Sequence, residues 1–435
     1  MAGLYGRRNV LSWAFYDWAA SAFTTTVLAG FFPAFLQAYW STGVDPTVTT
    51  ARLGFANGVA GLVVAVLAPI LGALADRGGR RKRFLVSWSL LGILATGAFW
   101  FVGQGQWVAA VSLFVVAMVG YSAANVFYDA LLLDVAPPRE LDSVSALGYA
   151  LGYLGGGLLF AVNVAMTLKP AWFGLADAAE AVRASFVTVA VWWLLFMLPL
   201  ARNVRETPAA AGARGGTPLR DTLAGLWRTL RSVASQREIA LFLLAYWLYI
   251  DGVNTIIKMA VDYGAALGLP TSSLLAALLL TQFVAFPAAL VFGWAGGRIG
   301  PRAGILTGLV VYGLATAYAF FLDTVTEFFA LAVVIGLVQG GVQSLSRSFF
   351  GRLVPAGRSA EYFGLYNMMG KFATVLGPVM VALVALATGS SRASILALLP
   401  LFLVGGLLLL LVRAPGQPGS GQSAGSSANR PRSVP

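Results

Sequence analysis

Six charged side chains lie inside long apolar stretches of the sequence, far from any polar connection. They are Asp17, Asp129, Asp251, Lys258, Arg347 and Lys371. A charge at the centre of a bilayer costs about 2.5 to 3.5 kcal/mol even on insertion scales, so each retained charge must face protein or water. Groups in such positions can bind a polar solute, carry protons or hold helices together.

Uncharged polar side chains accompany these charges at helical spacing. They are Tyr121, Asn125, Asn254, Gln339 and Gln343. Each stands three, four or eight residues from a charge, which places it on the same helix face. Several such stripes predict one lined cavity that binds substrate. The alternative is that these groups form hydrogen bonds between helices and only hold a bundle together.

Depth along the predicted helices divides the charges into two groups. At a rise of about 1.5 Å per residue, Asp251 lies about 18 Å from the start of its segment, and Lys258 lies two turns further on the same face. These two side chains could hold a zwitterion near mid-membrane. Asp17, Asp129 and Arg347 lie about 10 Å from one membrane side by the same arithmetic and suit a gate or a proton-coupling site.

The chain contains neither histidine nor cysteine. This composition excludes disulfides, thiolate nucleophiles, imidazole metal sites and histidine proton switches. Any proton transfer must therefore use carboxylates. We predict no catalytic residue, no metal site and no cofactor, and we do not expect an enzyme.

Composition places the chain in a membrane, because 58% of its 435 residues are hydrophobic, only 11% are charged and the mean hydropathy is +0.79. Twelve apolar segments are long enough to cross a hydrocarbon core of about 30 Å. They are residues 10–38, 53–75, 84–103, 107–133, 144–168, 184–201, 239–262, 273–296, 303–323, 326–350, 361–387 and 392–412. These segments predict an all-α polytopic membrane protein of twelve transmembrane helices.

The longest polar connection separates the segments into two sets of six. We predict an N-terminal six-helix bundle at 1–201, a linker with an amphipathic helix at 202–238 and a C-terminal six-helix bundle at 239–412. Residues 413–435 are rich in glycine, serine and proline, which is typical of a disordered tail.

Basic residues indicate the orientation. If both termini are cytoplasmic, 22 of the 29 lysines and arginines lie in cytoplasmic segments, as the positive-inside rule requires. The net charge of +12 is therefore explained by membrane lipids, and no nucleic-acid partner is expected. We predict an integral protein of a bacterial-type cytoplasmic membrane, working as a monomer.

The two halves of the sequence resemble each other. Gly72-x-x-x-Asp76-Arg77-x-Gly79-x-Arg81 after the second segment matches Gly293-x-x-x-Gly297-Arg298-x-Gly300-x-Arg302 after the eighth. Asp129 and Arg347 are 218 residues apart, as are Pro137 and Pro355. Repeats related by an axis along the membrane normal place a binding site between the halves.

The segment from Gly72 to Arg83 resembles the loop 2–3 signature of the major facilitator superfamily, which implies two pseudo-symmetric six-helix bundles. Its residues Gly72, Asp76, Arg77, Gly79 and Arg81 then form a conformational-switch motif.

Three further segments are similar to signatures of the unknown major facilitator family, which includes the vacuolar amino-acid effluxer of fungi. They are Tyr16–Phe23, Asp251–Ile256 and Phe363–Lys371. The pattern departs at Ala20, where asparagine is expected, so a polar contact in the first helix is missing.

The combined observations predict a secondary active transporter that moves a small polar solute by alternating access. The resemblance suggests amino acids and efflux, and the carboxylates suggest protons as the coupling ion. Two alternatives remain open: a lipid translocase on the same fold, and a membrane receptor or sensor that does not transport.

Overall fold

The computed structural model describes residues 7–206 and 231–413. Helices account for the ordered secondary structure of these two ranges, and twelve of them are long and apolar enough to cross a membrane. The prediction of an all-α protein with twelve transmembrane helices is therefore confirmed. Most of the predicted linker at 202–238, and the predicted tail except for Arg413, lie outside the described residues.

The helices are numbered in chain order. They are α1 (Arg8–Trp40), α2 (Pro46–Gly78), α3 (Arg81–Phe101), α4 (Trp107–Val135), α5 (Leu141–Leu168), α6 (Ala178–Asn203), α7 (Arg237–Ala266), α8 (Thr271–Ile299), α9 (Pro301–Ala319), α10 (Val325–Leu353), α11a (Ser359–Phe372), α11b (Leu376–Thr388) and α12 (Arg392–Leu411). Helices α1 to α6 form one bundle and α7 to α12 the other. We call the side of the protein that carries the α2–α3 loop the motif face.

Local sequence explains where several helices begin. The Asp177 carboxylate accepts a hydrogen bond from the Glu180 backbone N–H and caps α6 at 2.7 Å. Thr324 and Glu327 form a reciprocal capping box at the start of α10. Both caps lie on the side opposite the motif face, where short connections turn the chain back into the membrane.

Helix α1 is irregular in its second half. A π-helical stretch runs from Phe23 to Phe31, and a second one runs from Leu36 to Trp40. Single π turns are common at functional sites, and a run of this length changes which side chains face the neighbouring bundle.

Helix eleven is broken between α11a and α11b. Asp251 of α7 caps α11b, because its carboxylate oxygens accept hydrogen bonds from the backbone N–H groups of Leu376 and Gly377, each at 3.0 Å. A side chain at Gly377 would collide with the Thr255 hydroxyl, which also donates to Asp251. The break therefore lies just before the Gly377–Pro378 pair.

Two close helix contacts join the bundles near the motif face. In the first, α2 lies against α11a: an added Cβ at Gly72 would overlap the Ala360 backbone, and one at Gly364 would lie 2.6 Å from the Ala68 carbonyl oxygen. In the second, α8 lies against α5, where Gly293 contacts Ala146. Gly72 and Gly293 hold matching repeat positions, so the two contacts are related by the pseudo-twofold.

We expect Gly72→Val to separate the bundles at the motif face, because the new methyl groups would occupy the space of the α11a backbone. Opening one contact should loosen the other. A cysteine replacing Ser143, which lies beside Gly293, should then react several-fold faster with an impermeant maleimide.

The matched control is Gly58→Val on the same helix, where an added Cβ meets no atom within 4 Å. Equal labelling rates in the Gly72→Val and Gly58→Val proteins would show that this close packing does not keep the motif face closed.

Candidate functional site

A buried arginine connects the two bundles. Arg347 of α10 is 1% exposed, and its Nη1 lies 3.1 Å from Asp129 Oδ1 of α4. Its Nε donates to the Ser145 hydroxyl of α5 at 2.9 Å, and its Nη2 donates to the Ser145 backbone carbonyl at 2.8 Å. All three guanidinium nitrogens therefore donate hydrogen bonds to residues of the other bundle.

The second oxygen of Asp129 also has a partner across the interface. Asn367 of α11a donates to Asp129 Oδ2 at 2.9 Å. We call Asp17, Asp129, Ser145, Arg347 and Asn367 the polar lock, since their contacts cross from one bundle to the other or, for Asp17, approach Arg347 from the first bundle.

Asp17 is the most weakly held carboxylate of the polar lock. Its Oδ2 lies 3.9 Å from Arg347 Nη1, and its side chain keeps 17% of its surface exposed. Within its own bundle it accepts hydrogen bonds from Ser21 at 3.2 Å and from Tyr128 at 3.4 Å. The structure therefore brings the predicted triad of Asp17, Asp129 and Arg347 together around one guanidinium.

Aromatic rings surround this guanidinium. The centroids of Tyr149, Trp13 and Tyr128 lie 4.4, 5.0 and 5.2 Å from the Arg347 Cζ atom. Trp13 and Tyr128 stack on each other, and the Trp13 indole donates to the Tyr128 carbonyl. These rings exclude water and add cation–π attraction, which strengthens the ion pairs of the polar lock.

The predicted conformational-switch motif forms a second link between the bundles. Asp76 Oδ1 accepts from Arg81 Nε at 2.8 Å, and Asp76 Oδ2 accepts from the Glu361 backbone N–H at 2.8 Å. Asp76 thereby caps α11a of the other bundle. Arg81 also pairs with Asp134 at 2.7 Å. Arg77 lies in the last turn of α2. Gly79, the first residue after this helix, has a φ of +56°.

The contact between α5 and α10 contains an ion pair that the sequence interpretation missed. Arg352 approaches Asp142 with two nitrogens, at 2.7 and 2.8 Å, and the Ser348 hydroxyl also donates to Asp142. Asp142 is only 1% exposed. The repeat spacing indicates a different partner, because Arg352 follows Asp134 by the same spacing that separates Arg347 from Asp129.

The structure gives Asp251 and Lys258 different surroundings. Asp251 is fully buried, and both carboxylate oxygens accept hydrogen bonds inside the protein. Direct contact between Asp251 and a solute would require the α11b cap to open. Lys258 is exposed, and Asn254 between them donates to the Ala373 carbonyl at 3.3 Å.

The remaining predicted binding residues lie deeper than the polar lock. Gln343 accepts from the Tyr153 hydroxyl of α5 at 2.6 Å, another contact across the interface. Tyr121 and Asn125 are partly exposed, and Tyr121 packs on Phe23 and Trp193 of its own bundle. Gln339 is 7% exposed.

The chemistry available to the site is binding and proton transfer. Within the described ranges, no cluster of three or more carboxylates is arranged to hold a metal ion. Asp17 is the carboxylate of the polar lock with the most open surface.

Comparison with known proteins agrees with this architecture. The sequence profile of the family described as vacuole effluxer Atg22 like matches residues 5–139 and 134–416. The uncharacterised MFS-type transporter YxiO of Bacillus subtilis is 36% identical over 403 residues, which cover 92% of this chain and 94% of that protein. Autophagy-related protein 22-2 of Aspergillus oryzae is 27% identical over 318 residues, 64% of this chain and 51% of that protein, so the alignment spans about half of the fungal relative.

Among solved structures, the proton:xylose symporter XylE of the major facilitator superfamily superposes with a TM-score of 0.71 at 13% identity, over 94% of this chain and 96% of that one. This likeness shows the fold alone. The family profile and the Bacillus relative each cover nearly the whole chain, and the chain therefore belongs to the vacuole effluxer Atg22-like family of major facilitator superfamily transporters.

Proposed function

We propose that the protein moves a small polar solute across a membrane as a secondary transporter that alternates between two conformations. The observation that carries this proposal is the polar lock, which joins the bundles by side-chain contacts that a rocking motion would break. Glycine contacts that allow close approach surround the lock. The bundles can thus separate here without breaking covalent or backbone structure.

Orientation follows from charge. We place the motif face in the cytoplasm of a bacterial-type cell, because most basic residues of the described loops lie on it. With this orientation both termini are cytoplasmic, and the closed motif face corresponds to an outward-facing state.

Solvation provides the physical reason why the lock can open. In the closed state Arg347 and Asp129 are buried and satisfy each other, whereas separation would admit water that solvates both groups. The two charges are therefore paired in the closed state and solvated by water in the open state. Neither state contains a buried charge without a partner, which would be unfavourable. A gate requires this kind of balance.

Proton coupling is assigned to Asp17. Its ion pair with Arg347 is the longer of the two, and its carboxylate is partly exposed. Protonation of Asp17 would remove one attraction across the interface and favour opening.

The solute would bind above the polar lock between the bundles. The side chains proposed to contact it are Tyr121, Asn125, Asn254, Lys258, Gln339 and Gln343, with Asp251 holding the adjacent α11b. Amino acids are the proposed solutes, and efflux is the proposed direction. The amide, hydroxyl and ammonium groups of these side chains suit a polar solute better than a lipid tail.

The lock is tested by Arg347→Gln. Loss of the guanidinium leaves Asp129 without its ionic partner, a change that costs about 3 to 5 kcal/mol at a buried pair and should favour the open motif face. We expect several-fold faster maleimide labelling of a cysteine replacing Ser143. The control Arg392→Gln removes an ion pair to Asp323 on the other side of the protein. Unchanged labelling in Arg347→Gln would leave Arg347 with a purely structural role.

Proton coupling is tested by Asp17→Asn in proteoliposomes. The amide cannot exchange a proton, so accumulation driven by a pH gradient should disappear, while exchange of labelled for unlabelled solute should continue. Asp323→Asn, in an exposed ion pair on the opposite face, serves as the matched carboxylate control. Retention of gradient-driven accumulation in Asp17→Asn would contradict the assignment.

The solute class is tested by measuring fluxes of labelled neutral, acidic and basic amino acids in proteoliposomes, with and without a pH gradient. At least one class should move faster than in protein-free liposomes, and unlabelled solute should compete. If no amino acid moved while labelled lipid crossed between leaflets, the protein would be a lipid translocase instead.

A further inference from the structure

We infer that Lys258 and Lys371 together bind an oxyanion of the solute, a carboxylate or a phosphate. We call these two residues the lysine pair. The inference rests on the transporter function proposed above and specifies the chemical class of its solute. Lys371 is added here to the residues of the site.

Lys371 lies where it cannot reach the membrane surface. It is about 18 Å along α11a from Ser359 and about 26 Å from the far end of α11b at Thr388, measured by helical rise. A lysine stem near a helix end can extend to the interface, but at this depth on both sides it cannot. Its ammonium must therefore be compensated inside the protein.

Lys258 faces the same region from α7. It lies one and two turns beyond Asn254 and Asp251, which contact Ala373 and the start of α11b. This stripe of α7 is therefore directed at the break in helix eleven. Lys258 is nonetheless exposed, so the neighbouring helices leave much of its side chain uncovered.

The lysine pair lacks a carboxylate partner. Neither lysine takes part in an ion pair anywhere in residues 7–206 and 231–413. Asp251 lies two turns before Lys258 on α7, but its oxygens are already occupied by two backbone N–H groups and a threonine hydroxyl. By contrast, Asp129 and Arg347, two buried charges of the interface, form an ion pair with each other.

Both lysines lie beside the same contact: Asn254, one turn before Lys258, donates to the carbonyl of Ala373, which is two residues after Lys371. Two neighbouring cations inside a membrane protein are unfavourable. An anion placed between them would supply the missing partner and reduce the repulsion. An oxyanion offers enough lone pairs to accept from both groups. An oxyanion would thus gain binding energy by neutralising the positive charge of the two lysines.

A purely structural role explains Lys371 but not Lys258. Lys371 lies in the last turn of α11a, where a cation is favoured by the helix dipole. That effect does not account for Lys258, which lies inside α7, more than two turns before its last residue. The exposed, unpaired Lys258 is the observation that favours a ligand.

Thermal unfolding of the purified full chain in lipid nanodiscs tests the inference. The probes are leucine against leucinamide, succinate against succinamide, and inorganic phosphate. We expect at least one oxyanion probe to raise the unfolding temperature while its amide does not. The carboxylate and phosphate arms identify which oxyanion the site prefers.

Lysine variants then locate the site. Lys258→Gln and Lys371→Gln should each weaken the apparent affinity for that probe at least about tenfold, equal to about 1.4 kcal/mol. Lys258→Arg and Lys371→Arg should retain most of it. Lys169→Gln, in the exposed α5–α6 connection, is the matched control. A lower unfolding temperature in Lys371→Gln with unchanged probe affinity would show the structural role and overturn the inference.

Three other results would also overturn it: equal effects of acid and amide, no response to any oxyanion probe, or Lys258→Gln behaving like Lys169→Gln. Rejection of the oxyanion site can be distinguished from failure of the transporter function. If a neutral or cationic solute crossed proteoliposomes and the Arg347→Gln protein opened its motif face, the transporter function would stand and only the oxyanion site would be rejected.

Discussion

Opposite charges at equivalent positions of the two repeats join the two bundles of this protein near the motif face. Asp129 in the first half and Arg347 in the second are separated by 218 residues, the repeat spacing, and meet at 3.1 Å. A symmetric sequence would place like charges on both sides of the interface and drive the bundles apart. Divergence of the repeats into acid and base converts the same geometry into attraction. Asn367, Ser145 and Asp17 are arranged around the pair that results.

The same divergence occurs one and a half turns nearer the motif face. Asp134 and Arg352 are again separated by the repeat spacing, but they do not meet. Asp134 pairs with Arg81 of its own bundle, whereas Arg352 crosses to Asp142 of the other. Asp76 has glycine, Gly297, as its repeat counterpart, so a carboxylate caps α11a at one contact only. The two contacts share their glycine packing and differ in their electrostatics.

The sequence determines the depth of Asp251 in the membrane but not the groups that surround its carboxylate. Its depth on α7 and its distance from Lys258 followed from helix geometry. Its hydrogen bonds depend on where helix eleven breaks, since a free helix N-terminus exists only after the break. A buried carboxylate beside unsatisfied backbone N–H groups caps them. The exposed member of the stripe, Lys258, makes no ion pair within the described residues.

Helix number, helix order and the meeting of Asp17, Asp129 and Arg347 could be predicted from the sequence. Apolar length determines which segments span a membrane, and helical rise determines depth, so groups at equal depth on neighbouring helices are expected to meet.

Contacts made by small or terminal residues could not be predicted, among them Ser145, Asn367 and the pair of Asp142 with Arg352. The type of such a residue does not indicate its partner, and the partners lie about 200 positions away, as with the 202 residues between Ser145 and Arg347. The sequence by itself determined the helices, their two sets and the depth of each charge, because these depend on local composition and helix geometry. Only the tertiary structure decided which charges neutralise each other and which stay unpaired, because pairing depends on how the two bundles are rotated against each other.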